Sequence, residues 1–209
     1  MTTAFTVLVA GSLSATQRLH RQIAGSRIIA ADAGMAHAAT LGLEVELWVG
    51  DFDSCDPALI ERHADVPRHE HPAEKDATDG ELAIAEAVRL GASSLVLAGG
   101  MGGQADHALQ HFMQGVELAR RGVLALISSG DEEAWPLIAG EHLIDLPAGS
   151  RISIVAFDDL AGLTLEGVKW PLTGRDVPFG SSLTLSNEAL GPVLVRLEGG
   201  HGVVIAYPV

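Results

Sequence analysis

The chain has 209 residues, of which 47% are hydrophobic and 19% charged, a composition typical of a globular protein rather than a disordered one. Its net charge of −14, from 13 basic and 27 acidic side chains, argues against nucleic-acid binding, because phosphate contacts need a basic face. No apolar run reaches membrane-spanning length, and the amino terminus lacks the basic region of a signal peptide. Cys55 is the single cysteine, which excludes a disulfide within the chain and favours a cytoplasmic location.

The first two-thirds of the chain alternate between strand and helix patterns. Such alternation predicts an α/β fold, with a mostly parallel sheet and flanking helices. A polar stretch from Arg68 to Lys75 contains Pro72 and two histidines. The predicted strands are Thr6–Ala10, Arg27–Ala31, Leu47–Val49, Leu95–Ala98 and Val123–Ile127. The predicted helices are Gly34–Leu41, Pro57–His63 with Asp56 as its cap, a helix from the N-cap Thr78 to Leu90, and Asp106–Arg121.

The pattern changes between residues 130 and 140, and no helical period is visible after His142. Short alternating runs separated by turn residues take over, which predicts a small antiparallel β-sandwich. We therefore expect two domains, residues 1–135 and residues 136–209. The alternating runs are His142–Leu146, Arg151–Phe157, Leu163–Leu165, Ser182–Leu185, Val193–Leu197 and Val203–Tyr207.

Five carboxylates share a position relative to these elements. Asp32, Asp51 and Asp53 each follow a predicted strand, and Asp79 and Asp106 each lie in the first turn of a predicted helix. Ligands of open parallel sheets bind outside the carboxyl ends of the strands, so these side chains are expected to converge. Carboxylates, together with water and phosphate oxygens, are the ligands that Mg²⁺ prefers. The alternative is helix capping, because an aspartate in a first turn suits the helix dipole, but capping explains at most one of Asp51 and Asp53.

A glycine-rich turn lies between the predicted strand Leu95–Ala98 and the helix that follows. Its amides are placed to approach phosphate groups, although no Lys-Ser or Lys-Thr completes a Walker A loop. The turn also matches the G-x-G-x-x-A dinucleotide fingerprint, so an NAD-dependent oxidoreductase and a purely structural tight turn are both alternatives. The candidate phosphate-binding residues of this turn are Gly99, Gly100, Gly102, Gly103 and Gln104.

Single residues elsewhere carry open alternatives. Lys75 is either a phosphate-neutralising cation or an exposed loop residue. Trp170, next to a proline, is either a stacking platform for a flat or cationic ligand or a core residue. Ser186 and Asn187 form either part of a binding site or a simple turn. Cys55 adjoins the acidic motif and is either a nucleophile or a small turn residue.

Taken in order, these motifs resemble thiamine pyrophosphokinase across most of the chain. The acidic segments are Ala31-Asp32-Ala33-Gly34 and Gly50-Asp51-Phe52-Asp53-Ser54. The remaining segments are Lys75-Asp76-x-Thr78-Asp79, Gly99-Gly100-x-Gly102-Gly103-x-x-Asp106-His107, Gly167-x-x-Trp170-Pro171-Leu172 and Ser186-Asn187.

The resemblance implies transfer of pyrophosphate from ATP to thiamine, with release of AMP. It implies an α/β domain joined to a β-sandwich, and a homodimer with active sites between subunits. By resemblance, Mg²⁺ and the phosphates are bound by Asp51, Asp53, Asp79 and Asp106. ATP is further placed by Asp32 and Lys75, and thiamine is bound by Trp170, Ser186 and Asn187.

Two segments depart from the family pattern. Gln104 stands where the family usually has arginine, and the segment before Gly50 lacks the usual Pro-Asp. The loss of a charge-assisted phosphate contact costs roughly 1–3 kcal/mol. A divergent metal-dependent enzyme acting on another nucleotide or pyrophosphate ester is therefore an alternative, as is a non-catalytic thiamine or nucleotide sensor.

Overall fold

The computed structural model describes residues 3–53, 55–72, 74 and 76–209, so Lys75 lies outside the described residues. The chain divides into two compact units. The first comprises Met1–Ala108 and Val123–Gly130, and the second comprises Leu109–Gly122 and Asp131–Val209.

The described part of the first unit is built on six strands, and every neighbouring pair is parallel. These strands are β1 (Ala4–Leu8), β2 (Arg27–Ala31), β3 (Leu47–Gly50), β4 (Arg68–Glu70), β5 (Ser94–Ala98) and β6 (Leu124–Ser128). Their order across the sheet is β6-β5-β1-β2-β3-β4. From β1 the chain adds β2, β3 and β4 on one side, and it then adds β5 and β6 on the other side of β1. Ligand crevices in open α/β sheets form at such a switch point, outside the carboxyl ends of the strands.

Polar side chains cap the starts of several helices. Asp56 Oδ1 accepts a hydrogen bond from the Ala58 amide at 2.8 Å, and Thr78 Oγ1 accepts one from the Glu81 amide at 3.2 Å, which confirms both predicted caps. The helices are α1 (Gln17–Ile23), α2 (Ala36–Leu41), α3 (Pro57–Arg62), α4 (Asp79–Arg89) and α5 (Ala105–Arg120), with a 3₁₀ turn at Asp32–Met35 before α2. Helix α4 packs on strands β1, β2 and β3.

The second unit contains antiparallel strands in two sets that share one long strand. The strands are β7 (Glu133–Leu137), β8 (Gly140–Ile144), β9 (Arg151–Ala156), β10 (Leu160–Val168), β11 (Leu172–Val177), β12 (Asn187–Leu197) and β13 (Gly202–Tyr207). The start of β12 pairs with β9, which continues to β13 and β7, whereas the rest of β12 pairs with β8 and β10. Buried residues of both sets form one core, as expected for a sandwich. The expected fold class is confirmed.

Several local predictions were wrong. The polar stretch begins with a short edge strand, Arg68–Glu70, that the sequence did not indicate. Ser182–Leu185 is a turn and not a strand, although the Thr184 carbonyl and hydroxyl hydrogen-bond to the backbone of Ile154. The predicted helix Gly34–Leu41 begins as a 3₁₀ turn, and Gln17–Ile23 forms a helix that the periodicity did not indicate.

Candidate active site

Three carboxylates meet at the carboxyl edge of the parallel sheet. Asp32 follows β2, Asp51 follows β3, and Asp79 is the first residue of α4, which packs on the same strands. One carboxylate oxygen from each lies within 4.8 Å of those of the other two, and all three residues are half-buried. Oxygen ligands at this spacing suit a hard divalent cation. We call Asp32, Asp51 and Asp79 the acidic trio.

The other two predicted acidic ligands lie outside the acidic trio. Asp53 is exposed, and its amide donates to Asp51 Oδ1 at 3.3 Å, which closes a short turn within the motif. Asp106 is exposed in the first turn of α5, where its Oδ1 accepts a hydrogen bond from the His107 amide at 3.0 Å. Their assignment as metal ligands stays a prediction. Asp32, which is predicted to help place the nucleotide, also lies among the candidate metal ligands, and its role in nucleotide binding stays a prediction.

The backbone of Asp32 is unusual and is supported on several sides. Its φ of +43° lies in the left-handed region that few residues other than glycine adopt. The Trp48 indole N–H donates to the Asp32 carbonyl at 2.8 Å, and Cys55 Sγ donates to Asp32 Oδ1 at 3.2 Å. A Cβ on Gly50 would lie 3.3 Å from Asp32 Cα, which explains why glycine suits this position. Sequence reasoning missed Trp48 as part of the site.

Cys55 acts as a hydrogen-bond donor here. Burial raises the pKa of the Cys55 thiol to about 12, with further contributions from the hydrogen bond to Asp32 and from the charges of Asp51 and Asp79. A raised pKa favours the protonated thiol, whereas the thiolate is the nucleophilic form, so the structure favours the alternative of a small, non-nucleophilic residue.

The glycine-rich turn joins β5 to α5, as the sequence predicts. Gly99, Gly102 and Gly103 have φ values of +83°, +77° and +82°, which other residues rarely adopt. The turn packs against Gly11, in the loop after β1, where a Cβ would collide with the Gly99 carbonyl oxygen. Gly11 was not singled out from the sequence, although a glycine directly after the first strand of an α/β sheet is a usable signal. The two loops lie next to each other at the switch point between β1 and β5.

The start of α5 completes this edge of the first unit. Gln104 is exposed and directly precedes Ala105, the first residue of the helix. Free amides at a helix start, together with the glycine turn, favour bound anions. The position of Lys75, the other predicted phosphate contact, lies outside the described residues.

In the second unit, Trp170 and Asn187 lie together. The Trp170 amide donates to Asn187 Oδ1 at 3.1 Å, and Asn187 Nδ2 donates to the Trp170 carbonyl at 2.8 Å. Asn187 is buried, whereas Trp170 is 57% exposed, which decides against the core-packing alternative for this chain. Ser186 has a φ of +59°, and its amide donates to Ser153 Oγ at 2.9 Å. The reciprocal bonds fix the backbone of Trp170, and its exposed ring has Lys169 Nζ over it at 5.1 Å from the centroid.

The comparisons with known proteins agree with this reading. Residues 21–125 match the family model "Thiamin pyrophosphokinase, catalytic domain", and residues 141–201 match "Thiamin pyrophosphokinase, vitamin B1 binding domain". A thiamine pyrophosphokinase of Bacillus subtilis is 32% identical over 173 residues, which cover 78% of each chain. The chain belongs to the thiamin pyrophosphokinase family.

Solved structures of the family share the fold. A thiamine pyrophosphokinase structure from Bacillus subtilis superposes with a TM-score of 0.86 at 23% identity, over 98% of this chain and 99% of the other. A thiamin pyrophosphokinase from Candida albicans gives a TM-score of 0.81 at 11% identity, over 100% and 90% of the two chains. The thiamin pyrophosphokinase family is metal-dependent in general, and the acidic trio supplies suitable ligands in this member. Among the described residues, no helix is long and apolar enough to cross a membrane.

Proposed function

We propose that this chain transfers the pyrophosphoryl group of ATP to the hydroxyl of thiamine, giving thiamine diphosphate and AMP. The observation that carries the proposal is the acidic trio at the sheet edge, in a chain that matches both domains of the thiamin pyrophosphokinase family. We assign residues 1–135 to nucleotide binding and catalysis, and residues 136–209 to thiamine binding and dimerisation.

Transfer of the pyrophosphoryl group is a substitution at the β-phosphorus of ATP. The thiamine hydroxyl oxygen forms a bond to the β-phosphorus, and the bond from that phosphorus to the α,β-bridging oxygen breaks. AMP leaves with the bridging oxygen, and the hydroxyl proton passes to a carboxylate of the site. Thiamine diphosphate therefore carries the β- and γ-phosphoryl groups of ATP, and the α-phosphoryl group stays in AMP.

We propose Mg²⁺ as the metal. Asp32, Asp51 and Asp79 would hold it, with Asp53 and Asp106 as further ligands to the ion or its water. When bound, Mg²⁺ withdraws negative charge from the phosphate oxygens and so makes the phosphorus easier to attack. Oxygen-only ligands and the half-buried setting fit a hard cation better than a soft one.

The phosphates are proposed to bind at the glycine-rich turn and the start of α5. The left-handed glycines let a ligand approach the backbone closely, and the helix start provides amide donors. Lys75 is proposed to neutralise part of the phosphate charge. Gln104 would donate a hydrogen bond without the charge that arginine supplies, so contact at this position is weaker.

Thiamine is proposed to bind at Trp170, Ser186 and Asn187. The exposed ring of Trp170 suits stacking on a flat ring and attraction of the cationic thiazolium. We further propose a homodimer with active sites between subunits, in which substrate and the partner subunit cover the exposed Trp170 ring. We also propose a cytoplasmic location, which fits a chain with one free cysteine. Light scattering of the purified protein tests the dimer.

The function is tested with purified protein supplied with ATP, Mg²⁺ and thiamine. AMP that forms only when thiamine and Mg²⁺ are both present supports the proposal. ADP in place of AMP contradicts pyrophosphoryl transfer and favours a divergent relative. Thiamine or nucleotide binding without turnover indicates a sensor, and tight NAD binding without Mg²⁺ indicates an oxidoreductase.

A further inference from the structure

Asp32 takes part in the acidic trio from a backbone conformation that is costly for a residue with a side chain. Its φ of +43° persists only where surrounding contacts determine it. Two residues after Asp32, the position of Gly34 requires glycine, because a Cβ there would collide with the Leu8 carbonyl oxygen. The turn that carries Asp32 is therefore tightly constrained on its β1 side.

Two donors constrain Asp32 from the other side. The Trp48 indole N–H holds the Asp32 carbonyl at 2.8 Å, and Trp48 itself is completely buried. The Cys55 thiol donates to Asp32 Oδ1 at 3.2 Å and so restrains the rotation of that carboxylate. One contact thus sets the backbone of Asp32, and the other sets the direction of its carboxylate oxygens.

The same two residues hold the neighbouring motif. The Trp48 ring meets Phe52 edge-on, with centroids 4.9 Å apart, and the Cys55 amide donates to the Phe52 carbonyl at 3.3 Å. Phe52 lies between Asp51 and Asp53 and has a φ of +62°, a second left-handed residue other than glycine. Trp48 and Cys55 therefore contact both loops with left-handed residues in the acidic site, the one that carries Asp32 and the one that carries Phe52.

We infer that Trp48 and Cys55 are positioning residues that hold Asp32 and Asp51 in the geometry that binds a divalent cation. The inference rests on the proposed function only in assigning a cation to the acidic trio. Neither residue needs to touch the cation or the substrates, since each acts through hydrogen bonds and packing on residues that do. Groups that orient metal ligands in this way typically change metal affinity by about 10- to 100-fold when they are removed.

The test compares Cys55→Ala, which removes the thiol donor, with Cys55→Ser, which keeps a donor in nearly the same place. Trp48→Phe keeps an aromatic ring and removes the indole N–H. Leu41→Ala serves as a matched control. Leu41 is buried in the same core cluster as Trp48 and Cys55, but the hydrogen bonds to Asp32 come from Trp48 and Cys55. The readout is binding of Mn²⁺ alone, followed by electron paramagnetic resonance of the free ion, with thermal unfolding of each variant alongside.

We expect Cys55→Ala and Trp48→Phe to weaken Mn²⁺ binding by about 10-fold, and Cys55→Ser to restore most of the affinity. Leu41→Ala should lower the melting temperature and leave the Mn²⁺ affinity unchanged. Wild-type affinity in Cys55→Ala, equal weakening in Cys55→Ser, or equal weakening in Leu41→Ala would overturn the inference, as would a wild-type protein that binds no Mn²⁺. A wild-type protein that binds Mn²⁺ and makes no AMP would contradict the proposed function and leave this inference supported.

Discussion

Replacing Asp51 by asparagine should stabilise the metal-free protein while it removes metal binding. Without a cation, three carboxylates within 4.8 Å repel one another. At that separation, two unit charges interact by about 3.5 kcal/mol at an effective dielectric constant of 20 and about 1 kcal/mol in water. The three side chains are half-buried, so the lower end applies. The change removes two of the three repelling pairs, which amounts to about 2 kcal/mol.

Asparagine keeps the local geometry. Its side-chain oxygen can still accept the hydrogen bond that the Asp53 amide makes to Asp51 Oδ1. A gain of about 2 kcal/mol raises the melting temperature of a chain of this size by about 4–8 °C. The assay is thermal unfolding in a chelator and again with excess Mg²⁺. Wild type should gain stability from Mg²⁺, because a ligand that binds only the folded state stabilises it, and Asp51→Asn should gain little.

A matched control lies nearby. Asp56 is exposed and caps α3, and asparagine caps helices equally well, so Asp56→Asn should change neither the melting temperature nor its response to Mg²⁺. Repulsion within the acidic trio is contradicted if Asp51→Asn melts below wild type in the chelator. Metal binding by Asp51 is contradicted if Mg²⁺ still raises the melting temperature of Asp51→Asn as much as it raises that of wild type.

Asp53→Asn should abolish AMP formation in an intact fold, as judged by circular dichroism, because Asp53 is exposed and predicted to bind the metal; retained activity would remove it from the site. Gln104→Arg should raise kcat/KM for ATP by about 10-fold, since a charged donor adds a phosphate contact, whereas Gln104→Met should not; a gain in both variants would contradict the phosphate contact. Gly34→Ala should lower the free energy of unfolding in urea by about 3 kcal/mol, because its Cβ would collide with the Leu8 carbonyl, and an unchanged midpoint would show that the turn can relax. Burial raises the pKa of the Cys55 thiol to about 12 from an ordinary 9.0, so at pH 8 the metal-free native protein should react with Ellman's reagent at least about 100-fold more slowly than the protein in guanidinium, with the native rate rising as pH increases; equal rates would contradict the buried, protonated thiol.

The parts of this site that depend on strand ends could be predicted from the sequence. Asp32 and Asp51 directly follow apolar runs, and parallel strands bring such positions to one edge whatever the details of packing. The cap at Thr78 likewise starts α4 next to Asp79, because its spacing to Glu81 is a local signal.

The supports of the site could not be predicted in the same way. Trp48 lies 16 residues from Asp32 and Cys55 lies 23 residues from it, and their hydrogen bonds depend on how neighbouring loops pack. Trp48 reads in the sequence only as an apolar strand residue. The signal that distinguishes it, an indole N–H aimed at a loop carbonyl, exists only once β3 is placed beside β2.

Local patterns also misled in two places, each for a physical reason. Arg68–Glu70 is polar because it forms an edge strand of three residues with little to bury. Ser182–Leu185 alternates like a strand, but Leu183 and Leu185 are both about half exposed, so the alternation does not bury an apolar face. Alternation without burial gives no stability to a strand.

The most direct test of the account is a ³¹P nuclear magnetic resonance time course of the purified protein with ATP, Mg²⁺ and thiamine. AMP and thiamine diphosphate should form in a one-to-one ratio, with no ADP and no thiamine monophosphate at any time. Formation of ADP, or of thiamine monophosphate before the diphosphate, would contradict the transfer of an intact pyrophosphoryl group.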